Sequence, residues 1–194
     1  MSNINVIVIH GAYGYPQENW FDWLRQALHQ LDVVCHVPQL PTPANQTLST
    51  WIRVFNQSHS KHIHANTLFV GHSLGAIFIL RWLEQHVFHC KTVILVGAFL
   101  DKIGNKKFDE INQSFFQTNF NWAAIKKKSD HFVCYDGDDD PYVTQIQFNE
   151  ITNNLNATKI LIANGGHLNA TAGYTQFPHL LFYIKRLIQE KNHE

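Results

Sequence analysis

Short apolar runs alternate along the chain with longer stretches whose apolar positions recur every three to four residues. Ile4–Ile9 (INVIVI) is a β-branched run of the kind that makes a buried strand. From Asn19 to Leu31 the apolar residues fall at Trp20, Trp23, Leu24, Ala27, Leu28 and Leu31, a helical stripe. Val33–Val37 predicts a second strand. Pro38-Gln39-Leu40-Pro41-Thr42-Pro43 must be a loop, because each proline removes a donor and blocks helix. Leu48–Phe55 is helical, with Trp51 and Phe55 four apart on one face. Thr67–Val70 is a third strand, Leu74–His86 a helix and Val93–Val96 a fourth strand. His131–Tyr135, Val143–Leu155 and Lys159–Ile162 repeat the strand, helix, strand order. A last helix runs from about Phe177 to Glu190, with Pro178 in its first turn, where a missing N–H costs nothing. Residues 99–128 break the rhythm. They are polar, carry Phe108, Phe115, Phe116, Phe120 and Trp122, and read as a crossover helix plus loops.

This alternation predicts an α/β fold: a mostly parallel sheet of about six strands, with right-handed crossovers and helices on both faces. No repeat or linker interrupts it, so residues 1–194 are expected to form one domain.

Composition narrows the partners. Fifteen basic residues balance fifteen acidic ones, which leaves no global field to gather nucleic acid or an anionic membrane. The run Lys126-Lys127-Lys128 is short and reads as a solvated turn. No segment approaches the ~20 apolar residues of a bilayer span, and Ile4–Ile9 is too short for a signal-peptide core. Cys35, Cys90 and Cys134 are odd in number and far apart, with no paired metal-ligand spacing. A reducing, cytoplasmic setting is expected. Protein partners are left unspecified.

The strongest chemical signal is Gly71-His72-Ser73-Leu74-Gly75, between the third predicted strand and the helix after it. A nucleophile elbow needs that context: a tight strand-to-helix turn that lifts Ser73 Oγ out of the sheet. At ordinary Gly and Ser frequencies the pattern arises in about one chain of this length in fifteen, so its placement carries the weight. Elsewhere such a serine merely caps a helix. A serine nucleophile needs a base, and the base an orienting acid, in the order Ser, Asp or Glu, His. His167 follows the sixth strand in Asn164-Gly165-Gly166-His167, at the carboxyl edge where ligands bind in parallel α/β folds. His86 and His179 belong to helices, His89 lies just beyond one, His131 opens a strand at the wrong end, and His193 sits in the terminal tail.

The acid should follow the fifth strand, where the chain reads Asp136-Gly137-Asp138-Asp139-Asp140-Pro141-Tyr142-Val143. Asp140 is preferred because Asp-Pro-x-Val opens the next helix, with Asp138 as the alternative. Asp136, Asp138 and Asp139 are expected to cap the helix or lie in a solvated turn. An oxyanion hole takes one N–H from the residue after the nucleophile, Leu74, and one from an early loop. His10-Gly11-Ala12-Tyr13-Gly14 follows the first strand, so Ala12 is the second donor, with Tyr13 as alternative. His10 and Tyr13 are also expected to contact substrate. Gly-x-Gly-x-x-Gly is absent, which disfavours a dinucleotide site.

Together these residues resemble the small serine hydrolases that include bacterial YdeN and the mammalian retinoblastoma-binding serine hydrolase. The resemblance runs nearly end to end. It includes His10-Gly11, Asn19-Trp20, Trp23-Leu24, Leu40-Pro41-Thr42-Pro43 with Trp51, and Gly71-His72-Ser73-Leu74-Gly75. It continues through Asp140-Pro141-Tyr142-Val143, Gly165-Gly166-His167, Gly173-Tyr174 and Phe177-Pro178. It implies the α/β-hydrolase fold without the large lid of lipases, and Ser73, Asp140 and His167 as a triad. Thr144 departs from the proline many members carry there. Leu-x-Cys-x-Glu is absent, so no retinoblastoma-type partner is carried over.

The expected chemistry is acyl transfer to water from a small carboxylic ester, thioester or activated amide, without cofactor or metal. Tyr13, Phe115, Phe116, Phe120 and Trp122 are candidates for an apolar acyl pocket, and equally for ordinary core. Two rivals come from other classes. A hydrolase scaffold used only for binding usually loses nucleophile, base or acid, whereas candidates for all three are present. His59, His62 and His64 have a spacing that can chelate a divalent ion, but their segment reads as a polar loop without a carboxylate.

Overall fold

A computed structural model of the chain describes residues 4–116 and 119–191. Six strands form one sheet: β1 (Asn5–Ile9), β2 (Val34–His36), β3 (Thr67–His72), β4 (Cys90–Val96), β5 (Ser129–Gly137) and β6 (Thr158–Ile162). The order across it is β2-β1-β3-β4-β5-β6, and every neighbouring pair is parallel. The chain leaves β1 outward to β2 and returns to β3 on the other side of β1. The strand order therefore reverses between β1 and β3, the place where parallel sheets open a crevice at their carboxyl ends. Ile9 pairs with Gly71, so the loops after β1 and β3 leave that edge side by side.

The four central strands are apolar on both faces because helices cover both. Ile7, Ile9, Phe69, Val93 and Leu95 pack toward α2 (Leu48–His59), α3 (Leu74–Gln85) and α6 (Gln145–Leu155). Val6, Val8, Leu68, Val70 and Ile94 point the other way, onto α1 (Phe21–His29) and α7 (Pro178–Lys191). The period-two alternation of strand side chains thus divides the core into two layers. α3 is buried from Leu74 to Leu83, so the helix behind the elbow is packed on all sides.

Two expectations change. α2 continues past Phe55 to His59, with a 3-10 turn over Ser60–His62, so the histidine-rich segment is a helix end and not an open loop. The 99–128 segment holds two short helices, α4 (Lys106–Asn112) and α5 (Trp122–Lys126), separated by a 3-10 turn at Gln113–Phe115. Asn105 and Asn121 cap them, accepting from the N–H groups of Phe108 and Ala124. α4, and no large lid among the described residues, stands over the carboxyl edge, while α5 leads into the start of β5 at the opposite edge. Among the described residues no helix is long and apolar enough to cross a membrane.

Candidate active site

Ser73 sits between β3 and α3 at φ 56° and ψ −123°, a conformation that costs an L-residue energy and survives only where its surroundings impose it. The flanking glycines show what imposes it. A Cβ on Gly75 would lie 2.3 Å from the Ile9 carbonyl oxygen, and one on Gly71 would lie 2.6 Å from Ala76 Cα. The elbow is therefore wedged against the end of β1 and its own helix. Ser73 N–H donates to the Val96 carbonyl at 2.8 Å, tying the turn to β4 as well. The exposed side of the turn faces a cavity of about 250 Å³, lined among others by Ser73, His167, Ala12, Tyr13 and Tyr142.

His167 reaches that cavity from the loop after β6. Its Nδ1–H donates to Asp140 Oδ2 at 2.7 Å, and both side chains are almost wholly buried. With Nδ1 so engaged, Nε2 is the ring nitrogen left for the cavity. Among the described residues no hydrogen bond joins Ser73 Oγ to the imidazole. Asp140 Oδ1 accepts from the N–H groups of Tyr142 and Val143 at 2.8 and 3.0 Å. Burial by itself would raise the Asp140 pKa. The hydrogen bond and charge of His167, with the two backbone donors, outweigh burial and hold it below the ordinary carboxylate value. The alternative acid is used elsewhere: Asp138 Oδ1 accepts from Asn164 N–H at 2.8 Å, and Asp139 Oδ1 from Gly166 N–H at 2.7 Å. Both carboxylates pin the turn that carries His167.

Asp136 departs from the solvated turn expected for it. It is fully buried at the end of β5. Oδ1 accepts from Gly137 N–H at 3.1 Å, while Oδ2 meets no donor among the described residues. Burial, then the negative charge of Asp140, push its pKa up to about 9. β5 runs past the expected Tyr135 to Gly137 and is buried from Phe132 onward, so Asp136 is a buried strand residue and not part of the turn.

On the other wall, Leu74 N–H is the first of α3 and has no partner one turn back. Ala12 N–H makes no hydrogen bond among the described residues, whereas Tyr13 N–H donates to Gln46 Oε1 at 3.3 Å. Ala12 thus has a free donor and Tyr13 does not. Gly11 lies so close that a Cβ there would stand 3.2 Å from Ser73 Cβ. Tyr13 lines the cavity with its ring edge-on to Phe108.

His10 is corrected: it lies behind the wall and does not line the cavity. It is fully buried; Nε2 accepts from Leu40 N–H at 3.0 Å, so Nδ1 carries the proton and donates to the Gly11 carbonyl at 2.7 Å. Burial lowers its pKa, and both nitrogens are spent on shaping the loop. The aromatic candidates also divide. Phe115 is core, while Phe116, Phe120 and Trp122 border a separate hollow beside α6. The cavity takes its apolar walls from Phe99, Ile103 and Phe108 instead.

Three residues that hold the His167 loop stand in motifs of the resemblance, Asn19-Trp20 and the elbow, but the sequence assigned them no role. His72 Nε2–H donates to the His167 carbonyl at 3.0 Å, Trp20 Nε1–H to the Leu168 carbonyl at 2.9 Å, and Ala170 N–H to Asn19 Oδ1 at 2.8 Å. Burial, then the charge of His167, push the His72 pKa down to about 3.

Of the metal candidates, the His59 and His62 rings stand 6.2 Å apart and His62 stacks on His36 at 4.1 Å. Among the described residues no group of three or more His, Cys, Asp or Glu is arranged to hold a metal ion. His193 lies outside the described residues.

A model of the serine hydrolase family matches residues 6–186. The chain is 26% identical over 180 residues to the serine hydrolase RBBP9 of Rattus norvegicus, covering 92% of this chain and 91% of the relative. It is 27% identical over 176 residues to YdeN of Bacillus subtilis, covering 89% and 90%. The crystal structure of the B. subtilis ydeN product superposes with a TM-score of 0.86 at 25% identity, over 95% of this chain and 98% of that one. Est1E from Butyrivibrio proteoclasticus shares the fold, with a TM-score of 0.73 at 14% identity over 99% and 89% of the two chains.

Proposed function

The chain belongs to the serine hydrolase family, and from that premise we propose that it cleaves small carboxylic esters, or thioesters and activated amides, through Ser73, His167 and Asp140. The observation that carries this reading is the 2.7 Å bond from His167 Nδ1–H to Asp140, made beside a cavity that Ser73 and His167 both line. Asp140 fixes the tautomer that leaves Nε2 as a base. In the first step Nε2 takes the Ser73 proton as Oγ bonds to the carbonyl carbon, and the carbonyl electrons move onto oxygen. The N–H groups of Leu74 and Ala12 receive that oxyanion. When the intermediate collapses, the imidazolium returns the proton to the departing alcohol, thiol or amine, leaving an acyl-Ser73 ester. Water then repeats the sequence: Nε2 takes its proton, the hydroxyl adds to the acyl carbon, and Ser73 recovers its proton as the acid leaves.

The cavity supports the substrate class. Its volume of about 250 Å³ lies below the several hundred Å³ of typical drug-sized sites. Phe99, Ile103 and Phe108 offer apolar walls, and among the described residues the ionisable lining is His167, Tyr142 and Tyr13, without Lys, Arg, Asp or Glu. A short uncharged acyl group fits such a lining better than a carboxylate or ammonium. The three described cysteines are free, which supports a reducing, cytoplasmic setting. We read residues 1–194 as one domain around this sheet.

A fluorophosphonate probe tests the site. The adduct is expected on Ser73 and is expected to vanish in Ser73→Ala and His167→Ala. A folded wild-type protein that takes no label overturns the proposal.

A further inference from the structure

We propose that Asp136 is a neutral carboxylic acid whose Oδ2–H donates to the Asp140 carboxylate, making it a fourth, positioning member behind Ser73, His167 and Asp140. The inference rests on the reading of those three residues as the catalytic set.

The geometry of Asp140 comes first. An ionised carboxylate offers about four lone-pair positions. Three are taken, by the N–H groups of Tyr142, Val143 and His167. The Asp136 and Asp140 carboxyls flank the tight turn that Asp140 N–H closes on the Gly137 carbonyl, and two anions brought together there repel. One proton between them converts the repulsion into a bond and fills the fourth position. The same proton resolves the other anomaly. Asp136 Oδ2 is buried without a donor, which a carboxylate oxygen does not tolerate and a hydroxyl aimed at an acceptor does.

The asymmetry decides which partner holds the proton. Asp140 has three N–H donors, one on an imidazole that becomes positive during the reaction. Asp136 has one bond, at 3.1 Å from its own neighbour, Gly137 N–H. The other ionisable groups near it do not stabilise its charge. Cys134, two residues back on β5, is held neutral by burial, and Asp138 and Asp139 are engaged with Asn164 and Gly166. His72 is kept neutral on β3 by burial, and His167 is engaged with Asp140. Asp136 thus keeps its proton through the neutral range, and its raised pKa agrees.

A neutral acid at this place has a mechanistic effect that a second anion lacks. It fixes the Asp140 carboxyl plane, and so the imidazole, without adding negative charge that would overstabilise the imidazolium. Ionisation of Asp136 in alkali would push the two carboxylates apart and tilt the ring.

The test compares wild type, Asp136→Leu and Asp136→Asn on p-nitrophenyl acetate from pH 6 to 10, with Ser73→Ala as the background. Asp136→Leu should lower kcat at pH 7.5 about tenfold with little change in KM, as expected for a misplaced catalytic group. Asp136→Asn, which keeps a donor toward Asp140, should recover most of that loss. The wild-type kcat should fall above about pH 9, and this limb should be absent in Asp136→Asn. Carboxyl 13C NMR of the labelled wild type, assigned by its difference from Asp136→Asn, should show one aspartate protonated at pH 7. That spectrum stands even if Asp136→Leu fails to fold, and it does not depend on turnover. If Ser73 takes no fluorophosphonate, the reading of the site fails while the NMR signal still decides the protonation of Asp136. If Ser73 labels but the Asp136 carboxyl titrates near pH 4, or Leu and Asn behave alike, this inference is overturned alone.

Discussion

Gly97 and His167 are in contact: a Cβ on Gly97 would stand 2.9 Å from His167 Cε1 and 3.0 Å from Nδ1. Gly97 also has φ +57°, which an L-residue adopts reluctantly. Gly97→Ala should therefore lose stability by about 1–2 kcal/mol from the backbone, and it should also push the imidazole away from Asp140. A displacement of about 1 Å at a catalytic group can cost about a hundredfold in rate. Gly173→Ala is the control: its φ is +89°, but nothing lies within 4 Å of the added methyl. Both variants should show lower denaturation midpoints, and only Gly97→Ala should lose kcat. Equal rates in the two would remove the contact as a constraint on His167.

That contact explains what was and was not legible in the chain. The strand periods, the elbow and the order Ser73, Asp140, His167 were readable because each is local: a β-branched run, a pentapeptide, a short motif after a strand. The bonds that aim those residues are not local. Trp20 meets Leu168 and His72 meets His167 between segments far apart in the chain, and no spacing in the sequence encodes such a meeting. Asp136 was misread for a related reason. Four acidic residues in five look solvated by composition, but β5 extends two residues beyond the expected Tyr135 and is buried on both faces, which takes Asp136 into the interior. His10 looked like a pocket residue because it adjoins Gly11, yet the Leu40 loop covers it. The aromatic segment misled because hydrophobicity alone does not say which cavity a ring borders.

Trp20→Phe removes the indole N–H that serves the Leu168 carbonyl while keeping most of the ring, which packs edge-on against Phe21 and Phe177. Leaving a buried carbonyl without its donor costs about 1–3 kcal/mol, and the smaller ring adds a cavity cost. Urea denaturation should show a loss of about 2–4 kcal/mol from these combined terms. Amide exchange should quicken in the loop around Leu168. An unchanged midpoint would mean that the loop is held elsewhere.

Phe108 closes one side of the cavity and meets Tyr13 edge-on. Phe108→Ala should open that wall toward the surface. Each methylene that gains burial contributes about 0.8 kcal/mol, roughly fourfold in kcat/KM. Across p-nitrophenyl acetate, butyrate, hexanoate and octanoate, the wild type should favour the short esters and the variant should shift toward the longer ones. If the chain-length profile does not move, the acyl group is not bound along Phe108.

His72 links the site to acid stability, and the sign follows from its burial. An ordinary histidine takes a proton near pH 6.5, whereas in the folded protein His72 resists protonation down to about pH 3. Below pH 6.5 the unfolded chain binds a proton that the folded chain refuses, so unfolding is favoured as the pH falls. The loss grows by about 1.4 kcal/mol per pH unit, or roughly 2 kcal/mol by pH 5 for this one group. Asp136 acts in the opposite direction. Its folded pKa is raised, so its contribution is lost as the pH rises toward about 9. Both proteins in the comparison of wild type with His72→Gln carry Asp136, and that effect cancels. His72→Gln should be less stable than wild type at pH 7.5, where it weakens the bond to the His167 carbonyl, and the gap should narrow by about 2 kcal/mol at pH 5. A gap that stays constant between those pH values would show that His72 is protonated as readily in the folded chain as in the unfolded one.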